Sequence, residues 1–261
     1  ELLGGGSGLL HRLEQNWRMV LAGVIIAAAA AAWFVFYGVP LAALWMAERT
    51  PPTVSAYMTR ETLATMDGRL LNPTKLSAAE QHRFSGLFAA VASYEPRGAG
   101  GYRLLFRNAP LVGPNAFALP DGAIVLTDQL VPMFKSDDEI EGVFAHEMAH
   151  VNRAHVLQRV YQASLVPAAI AFITGDATQV GHFATILPGV LLQSAYSRQF
   201  EQQADDDAAA LLLRMGKNPG ALANLLERME KSLCGGGGCG SSWLGSHPAT
   251  AERAARLRHA R

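Results

Sequence analysis

The segment "GVFAHEMAHVNRAH" (residues 142–155) concentrates three histidines and a glutamate in a chain that is otherwise rich in apolar residues. His146 and His150 are four residues apart, so on a helix both imidazoles project from one face and reach the same cation. Glu147 is rotated by about 100° from His146 and can contact a water on that cation without being a ligand. Imidazoles and carboxylates suit Zn²⁺ with one position left for water. The motif predicts metal-assisted hydrolysis of a peptide bond, with Glu147 as general base.

The motif supplies two ligands, so a third must come from another part of the chain. Glu201 and Asp205 are also four residues apart and share a helix face, which predicts Glu201 as a ligand and Asp205 as an orienting group. A solvated acidic helix face is the alternative interpretation of this cluster. His155 follows His150 by five residues, which turns it away from the metal, so we expect it at the surface. The other candidates are His182, His247, Asp206 and Asp207.

An uncharged run, "MVLAGVIIAAAAAAWFVFY", covers residues 19–37. As a helix it rises roughly 28 Å, which is enough to cross the hydrocarbon core of a bilayer. Trp17 precedes the run and Tyr37 lies in its last turn, as is typical of a membrane interface. We therefore expect a transmembrane anchor at 19–38, with a cleaved signal peptide or a buried core helix as alternatives. Arg12 and Arg18 precede the span, which favours a cytoplasmic N-terminus and a main domain outside.

The overall composition excludes one class of partner. The chain has 22 basic and 22 acidic residues, so no basic field favours nucleic acid. Nothing in the sequence specifies an oligomeric state. Cys234 and Cys239 bracket four glycines, which is compatible with a small disulfide loop in an oxidising compartment or with two unpaired thiols. Their spacing excludes a C-x2-C zinc knuckle.

Local signals predict a fold that is mainly α with a small β-sheet (α+β). Ser77 with Glu80 forms a capping box at the start of a helix, and Ser136 with Glu139 begins a second helix that should run to about residue 157. The turn at Pro120-Asp121-Gly122 predicts a hairpin. Further predicted elements are a strand at 102–109 and helices at about 195–215, at about 219–233 and after His247-Pro248.

These elements predict an ordered set of segments along the chain. Residues 1–18 form a juxtamembrane lead that we interpret as truncated or as an engineered join, and residues 39–76 should link the anchor to a folded domain at 77–261. Within that domain, 163–194 holds two apolar stretches of about eleven residues, each too short to span a bilayer. We expect a helical hairpin that covers the helix with the metal motif, or one that inserts into the membrane surface.

Four motifs in matching order extend this interpretation over roughly residues 75–260: "NAFALPDGAIVLTDQL", "HEMAHVNRAH", "EQQADDDAA" and "SHPATAERAARL". Together they resemble the zinc metallopeptidase family that contains the CAAX prenyl proteases and the HtpX-like bacterial membrane proteases. The resemblance implies a gluzincin (zincin-like) metalloprotease domain behind the N-terminal transmembrane helix. It also implies that His146, His150 and Glu201 bind one Zn²⁺ per chain, with Glu147 as the general base.

The same resemblance implies roles for residues outside the metal motif. His247 would cap the metal reversibly or stabilise the oxyanion of the transition state, although a helix-start histidine ahead of Pro248 is the plainer interpretation. Asp205 and Arg253 would buttress the site. An edge strand would pair with an extended polypeptide substrate through Asn115, Ala116, Phe117 and Ala118.

One departure from the family affects the expected substrate. The CAAX and HtpX-like proteases have several membrane spans, whereas this sequence has one clear span. We therefore expect a single-anchor enzyme of the bacterial inner membrane, with a periplasmic catalytic domain that cleaves misfolded or unassembled envelope proteins. A chaperone-like or binding protein with a structural metal, and a zinc-dependent amidase, are the alternatives. Glu147 disfavours the first, because a structural site needs no base.

Overall fold

The fold is described from a computed structural model of the chain. The structure describes residues 17–174, 189–190, 196–233, 247 and 251–260. Residues 1–16, His182 and the two cysteines, together with most of the second half of the predicted hairpin at 163–194, lie outside the described residues.

One continuous helix contains the predicted span and extends well beyond it. It comprises α1 (Trp17–Trp33), a π-helical turn (Phe34–Gly38) and α2 (Val39–Glu48). Every residue of α1 is exposed, and among the described residues this is the one helix long and apolar enough to cross a membrane. The predicted anchor ended at residue 38, whereas the helix continues past Pro40 to Glu48. Pro40 has no N–H for the carbonyl of Phe36, and the chain accommodates this loss with the π-helical turn and then continues.

The segment at 39–76, which we expected to be a linker, is largely helical and packed. It contains α2 and then α3 (Pro52–Met66). The side chains of Val39, Ala43 and Ala47, at four-residue spacing, are buried where α2 packs against α6 (His155–Thr174). Thr50 and Tyr161 share a hydrogen bond of 2.8 Å between their hydroxyls. The anchor is therefore joined to the folded domain by side-chain packing.

The sheet has four strands in the order β1-β2-β4-β3. These are β1 (Asn72–Pro73), β2 (Arg103–Asn108), β3 (Ala116–Ala118) and β4 (Ala123–Thr127). The β2–β4 pair is parallel, and the other two pairs are antiparallel. Gly122, with φ 95°, closes the predicted hairpin at a point where an added Cβ would lie 2.6 Å from the Gly101 carbonyl oxygen. The strand β3 lies at one edge of the sheet.

Helices pack against the sheet, and the predicted class, mainly α with a small sheet, is confirmed. The capping box of Ser77 and Glu80 begins its helix as predicted. The remaining elements are α4 (Ala78–Ser93), α5 (Asp137–Asn152), α6, α7 (Arg198–Arg214), α8 (Gly220–Leu233), α9 (Ala251–His259) and the 3-10 turns Ala99–Gly101 and Val131–Met133.

The helix α5 lies at the centre of the domain and packs against α4, α7, α8 and β3. Being covered on every side, it carries apolar residues all round its circumference, including Ile140, Val143, Phe144 and Met148. At Gly142 an added Cβ would lie 3.1 Å from the Cβ of Leu222, so the small residue permits the close approach of α8. The core therefore holds the predicted metal motif on a rigid, buried helix.

The motif helix is shorter than predicted. We expected it to run to about residue 157, but α5 ends at Asn152 and α6 begins at His155. Arg153 caps α5, and Ala154 has φ 53°, in the left-handed region. This turn redirects the chain and brings His155 back towards the motif.

Candidate active site

The two helices α5 and α7 bring the three predicted metal ligands together. On α5, the Nε2 atoms of His146 and His150 lie 3.1 Å apart. From α7, Glu201 places Oε2 3.6 Å from His146 Nε2 and Oε1 3.4 Å from His150 Nε2. All three residues are buried. Four-residue spacing on one helix and a carboxylate on its neighbour therefore produce one compact donor group.

His247, which precedes α9, belongs to the same group. Its Nδ1 lies 2.9 Å from Glu201 Oε1 and 3.1 Å from His146 Nε2, and its Nε2 lies 3.5 Å from Glu147 Oε1. His247 and Glu147 are both fully buried. The histidine therefore contacts both the other donors and the predicted general base.

The donor group fits a tetrahedral metal. One donor atom from each of His146, His150, Glu201 and His247 lies within 4.8 Å of all the others. Ligands at about 2.0–2.1 Å from a tetrahedral Zn²⁺ are separated by about 3.3 Å. The separations given above run from 2.9 to 3.6 Å. The distances and the mixed nitrogen and oxygen donors therefore suit such an ion.

The ionisation states also suit a metal. Burial lowers the pKa of His150 and of His247 to about 4, and it lowers the pKa of His146 as well. All three imidazoles are therefore neutral near pH 7, as metal ligands must be. Burial alone would raise the pKa of Glu201, but the neighbouring side chains of His247, His150 and Arg253 hold it well below its ordinary value. Glu201 is therefore an ionised carboxylate.

The structure places Asp205 and Arg253 behind the predicted ligands. Asp205 Oδ1 lies 3.1 Å from His146 Nδ1, on the side of the ring away from the donor group. Arg253, from α9, places Nη1 2.7 Å from Glu201 Oε2 and is 2% exposed. The helix α9 thus helps to hold Glu201 in position.

Sequence reasoning missed two residues of the site. His155, which we expected at the surface, is fully buried, and its Nδ1 lies 2.9 Å from His150 Nδ1. Tyr196 stacks on His150 with ring centroids 4.0 Å apart and planes at 25°. The expectation for His155 was wrong because it assumed an unbroken helix. Tyr196 lies five residues before Glu201 but forms no recognisable spacing with the histidine motif.

Comparison with known proteins identifies the family. Residues 106–261 match the model of Peptidase family M48. The chain belongs to peptidase family M48. The resemblance derived from the four sequence motifs is thereby confirmed.

Relatives of this chain include named proteases. Metalloprotease LoiP of Escherichia coli is 35% identical over 152 residues, which cover 55% of this chain and 57% of LoiP. Mitochondrial metalloendopeptidase OMA1 of Saccharomyces cerevisiae is 33% identical over 149 residues, covering 56% of this chain and 43% of OMA1. A Protease HtpX homolog of Gemmatimonas aurantiaca is 31% identical over 189 residues, covering 57% and 66%. The chain thus spans about half the length of LoiP and OMA1.

The predicted substrate strand of this M48 chain occupies the sheet edge but is covered. The strand β3 pairs with β4 through Ala116–Leu126, Phe117–Val125 and Ala118–Ile124, and it packs against α5. Asn115, just before it, donates its N–H to Thr127 Oγ1 at 2.8 Å. Asn115 and all of β3 are buried, so this edge is closed to solvent in the present conformation.

Proposed function

We propose that this M48 chain is a zinc-dependent endopeptidase anchored in a membrane by the helix at Trp17–Glu48. The observation that carries the proposal is the position of Glu147. This carboxylate is fully buried, stands one residue from His146 on α5, and lies 3.5 Å from His247 Nε2 beside the donor group. A metal that only stabilised the fold would need no such group. The arrangement supports acid–base chemistry at the metal.

His146, His150 and Glu201 would hold one Zn²⁺ per chain. Two neutral imidazoles and one carboxylate form a donor set that zinc uses in hydrolytic enzymes. When bound, the ion supplies Lewis acidity, which acidifies a water and polarises the scissile carbonyl. Asp205 accepts the proton of His146 Nδ1 and so keeps Nε2 free for the metal.

Glu147 would take the proton that the attacking water loses and deliver it to the amine that leaves. His247 is placed to control access to this chemistry. In the present conformation its Nδ1 lies among the donor atoms, within 3.1 Å of both Glu201 and His146. We assign it as a reversible cap that withdraws when substrate binds, in preference to a permanent oxyanion donor.

The substrate would be a polypeptide in extended conformation. Asn115, Ala116, Phe117 and Ala118 would pair with its backbone along the edge of the sheet, beside the helix that carries the metal motif, once this edge is uncovered. Pairing of this kind recognises backbone amide groups, which unfolded chains expose and folded chains do not. This favours misfolded or unassembled envelope proteins as substrates.

The proposed location is the bacterial inner membrane, with the catalytic domain in the periplasm. Arg12 and Arg18 before the span support a cytoplasmic N-terminus. Protease added to intact spheroplasts should digest the domain, and digestion that requires lysis would reverse the orientation.

The test compares casein cleavage and bound metal for the full chain and its Glu147→Gln variant in detergent. We expect the variant to keep its zinc and to lose at least about 100-fold in turnover, because the base is lost while the ligands remain. The matched control is Glu141→Gln, on the same helix, where the carboxylate pairs with Lys217 at 2.8 Å and lies outside the donor group.

The control should retain bound zinc and cleavage. Unchanged turnover in Glu147→Gln would refute the proposed mechanism. A wild-type chain that binds zinc, leaves casein intact and hydrolyses a small amide would indicate an amidase instead.

A further inference from the structure

We propose that His155 and Gln203 form a hydrogen-bonded pair that positions His150 for metal binding. The inference rests on the proposed function in taking His150 as a metal ligand. His150 presents Nε2 to the donor group, 3.1 Å from His146 Nε2. Its other nitrogen, Nδ1, lies 2.9 Å from His155 Nδ1, and His155 Nε2 lies 3.0 Å from Gln203 Oε1. The three side chains thus form a line that leads away from the metal.

The chemistry of metal binding sets the direction of every hydrogen bond in this line. A ligating Nε2 carries no proton, so neutral His150 carries its proton on Nδ1 and donates it to His155 Nδ1. His155 must then hold its own proton on Nε2, where it meets the carbonyl oxygen of Gln203. If these hydrogen bonds ran in the opposite direction, the proton of His150 would lie on Nε2. That nitrogen could then not bind the metal.

Neighbouring rings hold the pair in place. His155 stacks on Phe200 with ring centroids 4.2 Å apart and planes at 9°. Phe200 and Gln203 both belong to α7, the helix that also carries Glu201. The left-handed turn at Ala154 delivers His155 to this position. Because α7 carries both Gln203 and the ligand Glu201, the pair fixes the position of His150 relative to that third ligand.

The two ligand histidines therefore have different supports. His146 faces the carboxylate of Asp205, whose charge is balanced by Arg253 at 2.6 Å. His150 instead faces the imidazole of His155, a side chain that carries no negative charge. The second support thus orients its ligand without adding a buried negative charge to a site that already contains Glu201 and Asp205. His155 is a positioning residue, since it lies behind His150.

The test measures Zn²⁺ affinity of the metal-free full chain by competition with a chromogenic chelator. We expect His155→Phe to weaken zinc binding by about 10- to 100-fold, the usual cost of removing a partner of a ligating histidine. His155→Asn should bind within a few-fold of wild type, because its side-chain oxygen replaces Nδ1 as acceptor. Gln203→Leu should weaken binding and Gln203→Glu should preserve it.

Thermal unfolding of the metal-free variants separates positioning from folding. A purely structural role would lower the melting temperature of His155→Phe and leave the zinc affinity of the folded protein unchanged, which would overturn the proposal. Equal weakening in His155→Asn and His155→Phe would also overturn it. If His155→Phe does not fold, the Gln203 variants decide, and equal affinities for Leu and Glu would refute the pair. A wild-type chain without zinc affinity would instead refute the proposed function.

Discussion

Arg253 donates two hydrogen bonds to Asp205, from Nε to Oδ2 at 2.6 Å and from Nη2 to Oδ1 at 2.9 Å. This bidentate pair joins α9 to α7 in the buried interior. Burial lowers the pKa of Arg253 in isolation, but the hydrogen bond with Asp205 and the charge of Glu201 raise it overall. The guanidinium therefore balances two carboxylates that the metal site needs in ionised form.

Replacing Arg253 with Met should destabilise the fold strongly. Two buried carboxylates would lose their partner, and we expect the free energy of unfolding to fall by about 3–5 kcal/mol. Denaturant titration of the metal-free protein measures this loss. The matched control is Arg256→Met on the same helix, whose ion pair with Asp206 is exposed and should contribute less than about 1 kcal/mol. Equal losses in the two variants would contradict the assigned role of Arg253.

His247→Ala should raise basal peptidase activity. Its Nδ1 lies in the donor group, so its removal leaves three ligands and opens one position to water. We expect casein cleavage to increase several-fold while zinc content stays near one per chain. Lost cleavage with zinc retained would show that His247 stabilises the oxyanion instead.

The metal-free protein should lose stability as the pH falls from about 6.5 towards 4. Burial lowers the pKa of His150 and His247 to about 4 and of His155 to about 3, whereas the unfolded residues titrate near 6.5. Between these values the unfolded state binds more protons, so folding weakens as protons are added. Melting temperatures in a chelator at pH 8, 6.5, 5 and 4 test this. A flat profile would contradict neutral histidines in the folded state.

Ala154→Gly should leave the free energy of unfolding unchanged or raise it by up to about 1 kcal/mol. The left-handed backbone at Ala154 strains an alanine and not a glycine, and the gain is partly offset by the greater freedom of glycine in the unfolded chain. The control is Ala89→Gly, at an exposed position inside α4, which should cost about 1 kcal/mol. Denaturant titration compares the two, and similar losses would indicate that the turn carries no strain.

Short-range signals predicted much of this protein. The spacing of His146, Glu147 and His150 specified their relation on a helix, because three or four residues return a side chain to the same face. The capping box at Ser77 and the hairpin at Pro120-Asp121-Gly122 also appear as predicted. These features depend on neighbouring residues and therefore follow from local sequence.

Longer-range expectations were less successful because they depend on packing. The segment at 39–76 has the prolines and polar residues of a linker, yet α2 gains a buried face against α6. The helix expected to run to about residue 157 breaks at Ala154, where no glycine or proline predicts a turn. In both places tertiary contacts override a weak local preference.

The sequence by itself predicted which residues would carry the chemistry of this M48 chain, since the metal motif and the acidic cluster are each set by helical spacing. The tertiary structure decided how they meet. It places Glu201 within 3.6 Å of His146 and His150. It also places His155 behind His150 and not at the expected surface, and His247 beside the other donor atoms. These contacts join residues from α5, α6, α7 and the segment before α9. Their distances depend on how the helices pack, which local spacing does not encode.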